Sequence, residues 1–555
     1  MTVSIAASGD AARAIEQVVP RLVTDLVASG ITAQTGDLWG PSAETEAASR
    51  LGWVEAVAVS RPLVPRIVEL RDQLLAEGID HVVLAGMGGS SLAPEVIART
   101  AGVPLTVLDS TDPAQVTAAV TDRLERTVLV VSSKSGSTLE TDSQRRAYEQ
   151  AFTDAGIDPT GRIVVVTDPG SPLEAAATDA GYRVFTADPT VGGRYSALTA
   201  FGLVPAGLAG ADIAELLDEA DAISALLAVD IDENPGLVLG AVLAGTDPLR
   251  STIGIVADGT HIIGFADWAE QLIAESTGKS GRGLLPVVLD TDAPEVTMGL
   301  PDVQIVRLVG SRDEERHVAQ GEVEITGTLG GQFLVWEYAV AVAGRLLGID
   351  PFDQPDVEAA KVATRALLDN DNDTDTDTDT DGAADGGQPS SAATAADFGD
   401  GAIAVRAVGL DAGSSVDQAV SSLLAALGDD GYVAIQAYVD RNVNRELAVL
   451  RDVVAEHVRR PVTFGWGPRF LHSTGQYHKG GPATGVFLQI LADDAGDLPI
   501  PGRPFTFGQL IRAQAAGDAS VLAQHGRPVL TLSSGDLPAL ADVITAAVQG
   551  RSRTS

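Results

Sequence analysis

The stretch His81-Val-Val-Leu-Ala-Gly-Met-Gly-Gly-Ser-Ser-Leu-Ala-Pro94 runs from a short β-branched apolar segment, through a glycine and serine turn, into an amphipathic segment over Leu92 to Ala101. That order predicts a buried strand, a tight loop and a helix. A second copy of the pattern follows at Thr127-Val-Leu-Val-Val-Ser, with its own turn and a helical stretch over Thr138 to Ala155. Pro104-Leu-Thr-Val-Leu-Asp and Arg162-Ile-Val-Val-Val-Thr read as two more buried strands. Because continuous apolar strands alternate with helices, the sheet should be parallel and covered on both faces, a doubly wound αβα layer. Candidate strands at Ser251 to Ala257 and Val303 to Val309, with helices near Phe265 to Ser276 and Phe333 to Leu347, predict a second α/β unit of similar size. The expected domains are therefore 76–235 and 236–368, preceded by a helical, peripheral segment over residues 1–75.

Beyond them the composition breaks. Asp369 to Asp381 alternates Asp with Asn or Thr, and a Gly, Ser and Ala-rich stretch continues to about Asp400. Such a segment has little to bury and repels itself, so 369–400 reads as an extended acidic linker. The remainder, 401–555, reads as a smaller α/β piece with a strand at Gly431-Tyr-Val-Ala-Ile-Gln, a helix over Asn442 to Arg459 and a glycine-rich segment around 465 to 485.

Across 555 residues, 37 Lys and Arg face 76 Asp and Glu, a formal net charge of −39. That charge repels a phosphate backbone, and no run is rich in Lys or Arg, so nucleic acid is excluded as an expected partner. With no cysteine, disulfides, thiolate nucleophiles and sulfur-ligated zinc are ruled out, and catalysis must use oxygen and nitrogen groups. The first residues lack the pattern of a signal peptide, and no segment reaches about 18 uninterrupted apolar residues. A soluble, cytoplasmic protein without membrane contact is expected.

Both early loops place backbone amides at a helix N-terminus on the carboxyl edge of the sheet, where unpaired N–H groups favour an anion. The second, Ser132-Ser-Lys-Ser-Gly-Ser-Thr-Leu-Glu-Thr141, is the more telling: Ser133, Ser135, Ser137 and Thr138 surround Lys134, enough donors for one dianion. Neither loop matches the Walker pattern, and an ordinary capped helix start would also use these residues. In Trp268-Ala-Glu-Gln-Leu-Ile-Ala-Glu-Ser-Thr-Gly-Lys279, Gln271 and Glu275 share a helix side, and Glu275 sits in the last turn where the dipole disfavours a carboxylate. If buried, its pKa would rise toward that of a useful general base; on its own it could be a surface glutamate. Arg194, in Val191-Gly-Gly-Arg-Tyr-Ser, could face a crevice or form a structural ion pair. In Gln354-Pro-Asp-Val-Glu-Ala-Ala-Lys361 a helix begins, with Lys361 about two turns on.

Taken together, five stretches resemble the phosphoglucose isomerase family: Gly-Met-Gly-Gly-Ser-Ser at 86–91, Ser-Lys-Ser-Gly-Ser-Thr-Leu-Glu-Thr at 133–141, Gly-Gly-Arg-Tyr-Ser at 192–196, Gln-Leu-Ile-Ala-Glu-Ser-Thr-Gly-Lys at 271–279, and Ile349-Asp-Pro-Phe-Asp-Gln-Pro-Asp-Val-Glu-Ala-Ala-Lys361. The resemblance spans about 80 to 361 in family order. It implies two sugar-isomerase-type domains and the reversible isomerisation of glucose 6-phosphate and fructose 6-phosphate, an aldose–ketose step of glycolysis and gluconeogenesis. It also implies that Ser90, Ser133, Lys134, Ser135 and Thr138 hold the sugar phosphate, with Gly88 and Ser137 completing that set. Gln271 and Gln354 would contact substrate, Arg194 would stabilise the enediolate, Glu275 would move the proton between C1 and C2, and Lys361 would stand at the ring-opening end. No metal or redox cofactor is implied, and a homodimer is.

Histidine is the departure. Family members use one to open the ring, in many of them between the base and the final lysine, where this chain has only His317, in a charged stretch. Phe470-Leu-His-Ser-Thr-Gly-Gln-Tyr-His-Lys-Gly-Gly-Pro482, beyond the linker, resembles the histidine stretch of some bacterial members and the C-terminal part of isomerases fused to transaldolase. His472 is therefore the expected ring-opening acid and base, with Arg469 and Lys479 nearby and His478 a weaker candidate. A dual glucose and mannose phosphate isomerase and a non-catalytic sugar-phosphate sensor are the alternatives.

Overall fold

The computed structural model describes residues 3–310, 318–373, 396–493 and 496–550. The chain forms two compact units: one comprises Met1–Asp109, Ala119–Gln354 and His472–Pro482, the other Ser110–Ala118, Pro355–Leu471 and Ala483–Ser555.

The first unit holds two five-stranded sheets. One runs in the order Thr106–Leu108, His81–Gly86, Thr127–Ser132, Ile163–Thr167 and Arg183–Thr186, parallel throughout. Its central strands are buried at every residue, because helices cover both faces. The predicted strands are found with the predicted helices, Leu92–Ala101 and Leu139–Asp154, between them. Arg183–Thr186 escaped the sequence reading because it is an exposed edge with no apolar run.

The other sheet runs Ser4–Ala7, Val323–Thr326, Val303–Val309, Thr252–Asp258 and Leu285–Leu289; Ser4–Ala7 is antiparallel and the rest are parallel. The N-terminal segment is mostly helical, as expected, yet it also supplies this edge strand, and it sends Ile31 and Trp53, both fully buried, into the core. Behind the sheet lie two helices buried on nearly every side, Pro235–Ala244 and Leu329–Leu347. They approach closely at Gly240, where a Cβ would come within 2.5 Å of Val342 Cγ1. The helix Phe265–Thr277 is fixed against Leu329–Leu347 by aromatic pairs, Trp268 with Phe333 at 4.7 Å and Phe265 with Trp336 at 5.7 Å between ring centroids. Each such contact contributes about 0.5–1.5 kcal/mol beyond area burial, so the helix that carries Glu275 is held rigidly.

The second unit is the C-terminal α/β piece. Its six-stranded sheet runs Phe398–Asp400, Ile403–Val408, Val529–Ser534, Gly485–Ala492, Tyr432–Tyr438 and Val462–Trp466, with the first two antiparallel to their neighbours and the others parallel. The helix Val357–Asp373 carries Lys361 and extends into the acidic run, whose first five residues are thus helical; residues 374–395 of the expected linker, like His317, lie outside the described residues.

Candidate active site

Each reactive group stands where a glycine or a helix end puts it. Gly89 has no side chain because the loop around Gly193 lies on it: a Cβ there would be 2.0 Å from the Gly193 carbonyl oxygen. Gly88 adopts φ +56°, and a Cβ would meet the His472 carbonyl oxygen at 2.7 Å and Gln271 Nε2 at 2.8 Å. This one dipeptide thereby packs three of the sequence motifs together. An alanine at either position would push Arg194 or His472 out of place.

Glu275 is buried in the last turn of Phe265–Thr277. Its Oε2 lies 3.5 Å from Arg194 Nη1 and 3.4 Å from Gln271 Nε2. Burial raises its pKa, opposed by Arg194, His472 and Gln271, which favour the charged form. Arg194, only 3% exposed, donates Nη1 to Gln354 Oε1 at 2.9 Å and Nη2 to the Pro351 and Asp353 carbonyls at 2.8 and 2.9 Å. These bonds aim its fork at the carboxylate. Two buried polar atoms here, Arg194 Nε and Gln271 Oε1, have no partner among the described residues. A polar ligand would satisfy them.

The glycine-rich segment beyond the expected linker folds back as part of this unit. Gln271 Nε2 donates to the His472 carbonyl at 2.8 Å, Ser473 to Glu270 at 3.0 Å, Gln476 to the Gly278 carbonyl at 2.9 Å, and the Gly281 amide to the Gly480 carbonyl at 2.9 Å. Gly278, where a Cβ would fall 2.4 Å from Tyr477 Cα, lets the short helix Gly475–Gly480 sit against the end of the Glu275 helix. The His472 Nε2 lies 2.9 Å from Glu140 Oε1, and Glu140 is in the first turn of Leu139–Asp154. Lys479 and His478 are buried in the same short helix, while Arg469 lies in the other unit.

The hydroxyl loop immediately precedes Glu140. Ser133 Oγ donates to Thr138 Oγ1 at 3.3 Å and accepts the Gly136 amide at 3.1 Å, and Ser135 and Ser137 pair at 2.7 Å, both exposed. Ser90 is half-buried at the end of the first loop. Lys134 differs from the simple picture of an ammonium among hydroxyls. It is engaged with Asp168 at 2.7 Å and with the Val191 and Pro189 carbonyls at 2.9 and 3.2 Å, which uses all three of its donors. The hydroxyls are therefore the side-chain donors this loop has to offer beside its backbone amides, and Lys134 could reach a phosphate only by releasing a partner. Lys361, on a helix of the second unit, is the one expected catalytic residue not in the first.

Three residues were missed in the sequence. Glu140 was quoted within its motif, and its signal was a carboxylate in a helix first turn two residues past the last hydroxyl. Lys279, 3% exposed, holds Asp353 Oδ1 at 2.5 Å and its carbonyl at 2.6 Å. Burial, with Arg194 adding to it, lowers its pKa to about 8 against the opposing pull of Asp353. Asp353, the third, gave no signal because its role is to hold a lysine from another motif.

A buried carboxylate of raised pKa, a guanidinium beside it, and a histidine–glutamate pair joined to the carboxylate through one glutamine define an acid–base enzyme for a small polar substrate. A family model described as phosphoglucose isomerase matches residues 73–301. A probable glucose-6-phosphate isomerase of Natronomonas pharaonis is 32% identical over 340 residues, covering 52% of this chain and 79% of the relative. One of Haloarcula marismortui is 30% identical, over 52% and 78% respectively. The fold resembles that of a hypothetical protein from Thermus thermophilus, with a TM-score of 0.57 at 23% identity over 66% of this chain and 100% of the other. The chain belongs to the phosphoglucose isomerase family.

Proposed function

We propose that this enzyme interconverts glucose 6-phosphate and fructose 6-phosphate by opening the ring and passing one proton between C2 and C1 through an enediolate, with Glu275 as the base. The named relatives favour this reaction over the dual-substrate and sensor alternatives. One observation carries the assignment of roles: Glu275, Arg194, Gln271, Gln354 and His472 are linked within a single chain of contacts no longer than 3.5 Å.

Ser90, Ser133, Ser135, Ser137, Thr138 and the Gly88 loop receive the phosphate, with Lys134 available if it leaves Asp168. His472, oriented by Glu140, protonates the ring oxygen as the C1 hydroxyl gives up its proton to solvent and the hemiacetal opens. Glu275 then removes the C2 proton from glucose 6-phosphate and returns it to C1. Burial raises its pKa and Arg194 opposes that rise, which makes it a stronger base than an exposed carboxylate while still favouring its charged form. Arg194 faces the enediolate oxygens, so charge leaving Glu275 is met by a cation already in place.

The test is to incubate the protein with glucose 6-phosphate in deuterated water. Fructose 6-phosphate should form with deuterium appearing at C1, and Glu275→Gln should abolish both product and exchange while still binding the sugar phosphate. Retained exchange in that variant would move the base elsewhere.

A further inference from the structure

A polar row crosses the sheet of the second unit. Arg406 pairs in register with Thr531, Thr531 with Gln489, and Gln489 with Gln436, one residue from each of four adjacent strands. Side chains at equivalent register point to the same face. The opposite face, with Val405, Ile435, Leu488 and Leu530, is fully apolar and forms the core of the unit. A sheet covered by helices ordinarily shows apolar side chains on both faces, so a row of amides, a hydroxyl and a guanidinium needs a reason.

The row is ordered. Thr531 Oγ1 donates to Gln489 Oε1 at 3.0 Å, and Gln489 Nε2 donates to Gln436 Oε1 and the Ala515 carbonyl, each at 3.2 Å. Its arginine end opens into a cavity of about 250 Å³ lined by Arg406, Arg512, Gln489, Thr531, Ser533 and Asp493, with the helix Phe507–Gln524 forming the far wall. Neither the Arg406 nor the Arg512 guanidinium makes a hydrogen bond or ion pair to any described residue. Arg406 is half-buried, and desolvation lowers its pKa, opposed only by Asp397 at longer range. In a chain where 76 acidic residues outnumber 37 basic ones, two arginines that share one cavity without a carboxylate partner among the described residues give it a locally positive lining. Guanidiniums suit phosphate because their donors form a fixed fork.

We propose that this cavity binds a small phosphate monoester, with Arg406 and Arg512 holding the phosphate and Thr531, Ser533 and Gln489 receiving a hydroxyl-bearing remainder. Its volume lies below the roughly 300–1,000 Å³ of drug-sized pockets, which restricts the ligand to a few carbons. Asp493 at the rim repels a second anionic group, so a single charged end is preferred.

The full-length protein should be labelled with phenylglyoxal, which modifies free guanidiniums, and the labelled peptides mapped by mass spectrometry. The probe is glycerol 3-phosphate, compared with potassium chloride and with succinate at matched ionic strength. Glycerol 3-phosphate should slow modification of both Arg406 and Arg512, roughly tenfold at nine-tenths occupancy by mass action. Arg512→Ala, an exposed site whose loss does not threaten folding, should abolish the protection of Arg406 and leave the isomerase rate unchanged. Equal labelling in glycerol 3-phosphate and chloride overturns the site. Protection by succinate as strong as by glycerol 3-phosphate overturns the choice of ligand.

Discussion

Two helices of the first unit each bury a glutamate, and they do so to opposite effect. On Phe265–Thr277, Glu275 lies beside Arg194 and Gln271, and burial is opposed by a cation. On Leu329–Leu347, Glu337 is fully buried, neither of its carboxylate oxygens has a partner among the described residues, and burial alone raises its pKa well above the ordinary value. The first has a cation that favours its charged form; the second has no group that does. Burial therefore does not make a base, and the neighbouring guanidinium and the access of a substrate decide which glutamate is useful.

The comparison breaks most visibly at Glu275. Glu275→Gln should lower kcat by about 10²–10⁴, the range of a lost general base, with exchange at C2 lost in parallel. Arg194→Ala should cost about 10²–10³ in kcat, as for a removed oxyanion donor. It should also turn Glu275 toward the condition of Glu337: with the cation gone, its pKa rises further and the acidic limb of the kcat/KM profile moves to higher pH. His472→Ala should slow turnover of the ring form far more than that of the open-chain sugar, while equal losses on both would remove the histidine from ring opening. Glu140→Gln should give a milder version of the same split, because it acts through His472.

Glu337→Gln gives the smallest effect and the sharpest contrast, with kcat and KM unchanged. Its signature lies in stability. A carboxyl whose folded pKa is raised contributes stability that is fully present below its unfolded pKa, about 4.3, and is lost as pH rises through the folded value. Chemical denaturation across pH should therefore show wild-type stability falling above about pH 4 by up to about 1.4 kcal/mol per pH unit from this group, and that component should be absent in Glu337→Gln.

Much of this was legible beforehand for a physical reason. Buried parallel strands such as Thr127–Ser132 are continuous apolar runs, and their loops are bounded by glycine, so sequence and structure carry the same signal. The motifs also placed Glu275, Arg194 and Gln354, because each is fixed by local geometry in its own loop or helix end. What could not be read were relations between distant segments: the pairing of His472 with Glu140, the capture of Lys134 by Asp168, and the hold of Asp353 on Lys279. Edge strands such as Ser4–Ala7 were missed likewise, since an edge pairs on one side and needs no apolar run.

The late segment His472–Pro482 belongs to the first unit, yet the ribosome must translate all of Pro355–Leu471 before His472 exists. A nascent or prematurely terminated chain that ends before His472 already carries Glu275 and Arg194 but lacks the histidine to which the proposed mechanism gives ring opening. On that proposal, activity toward the cyclic sugar arrives only late in synthesis.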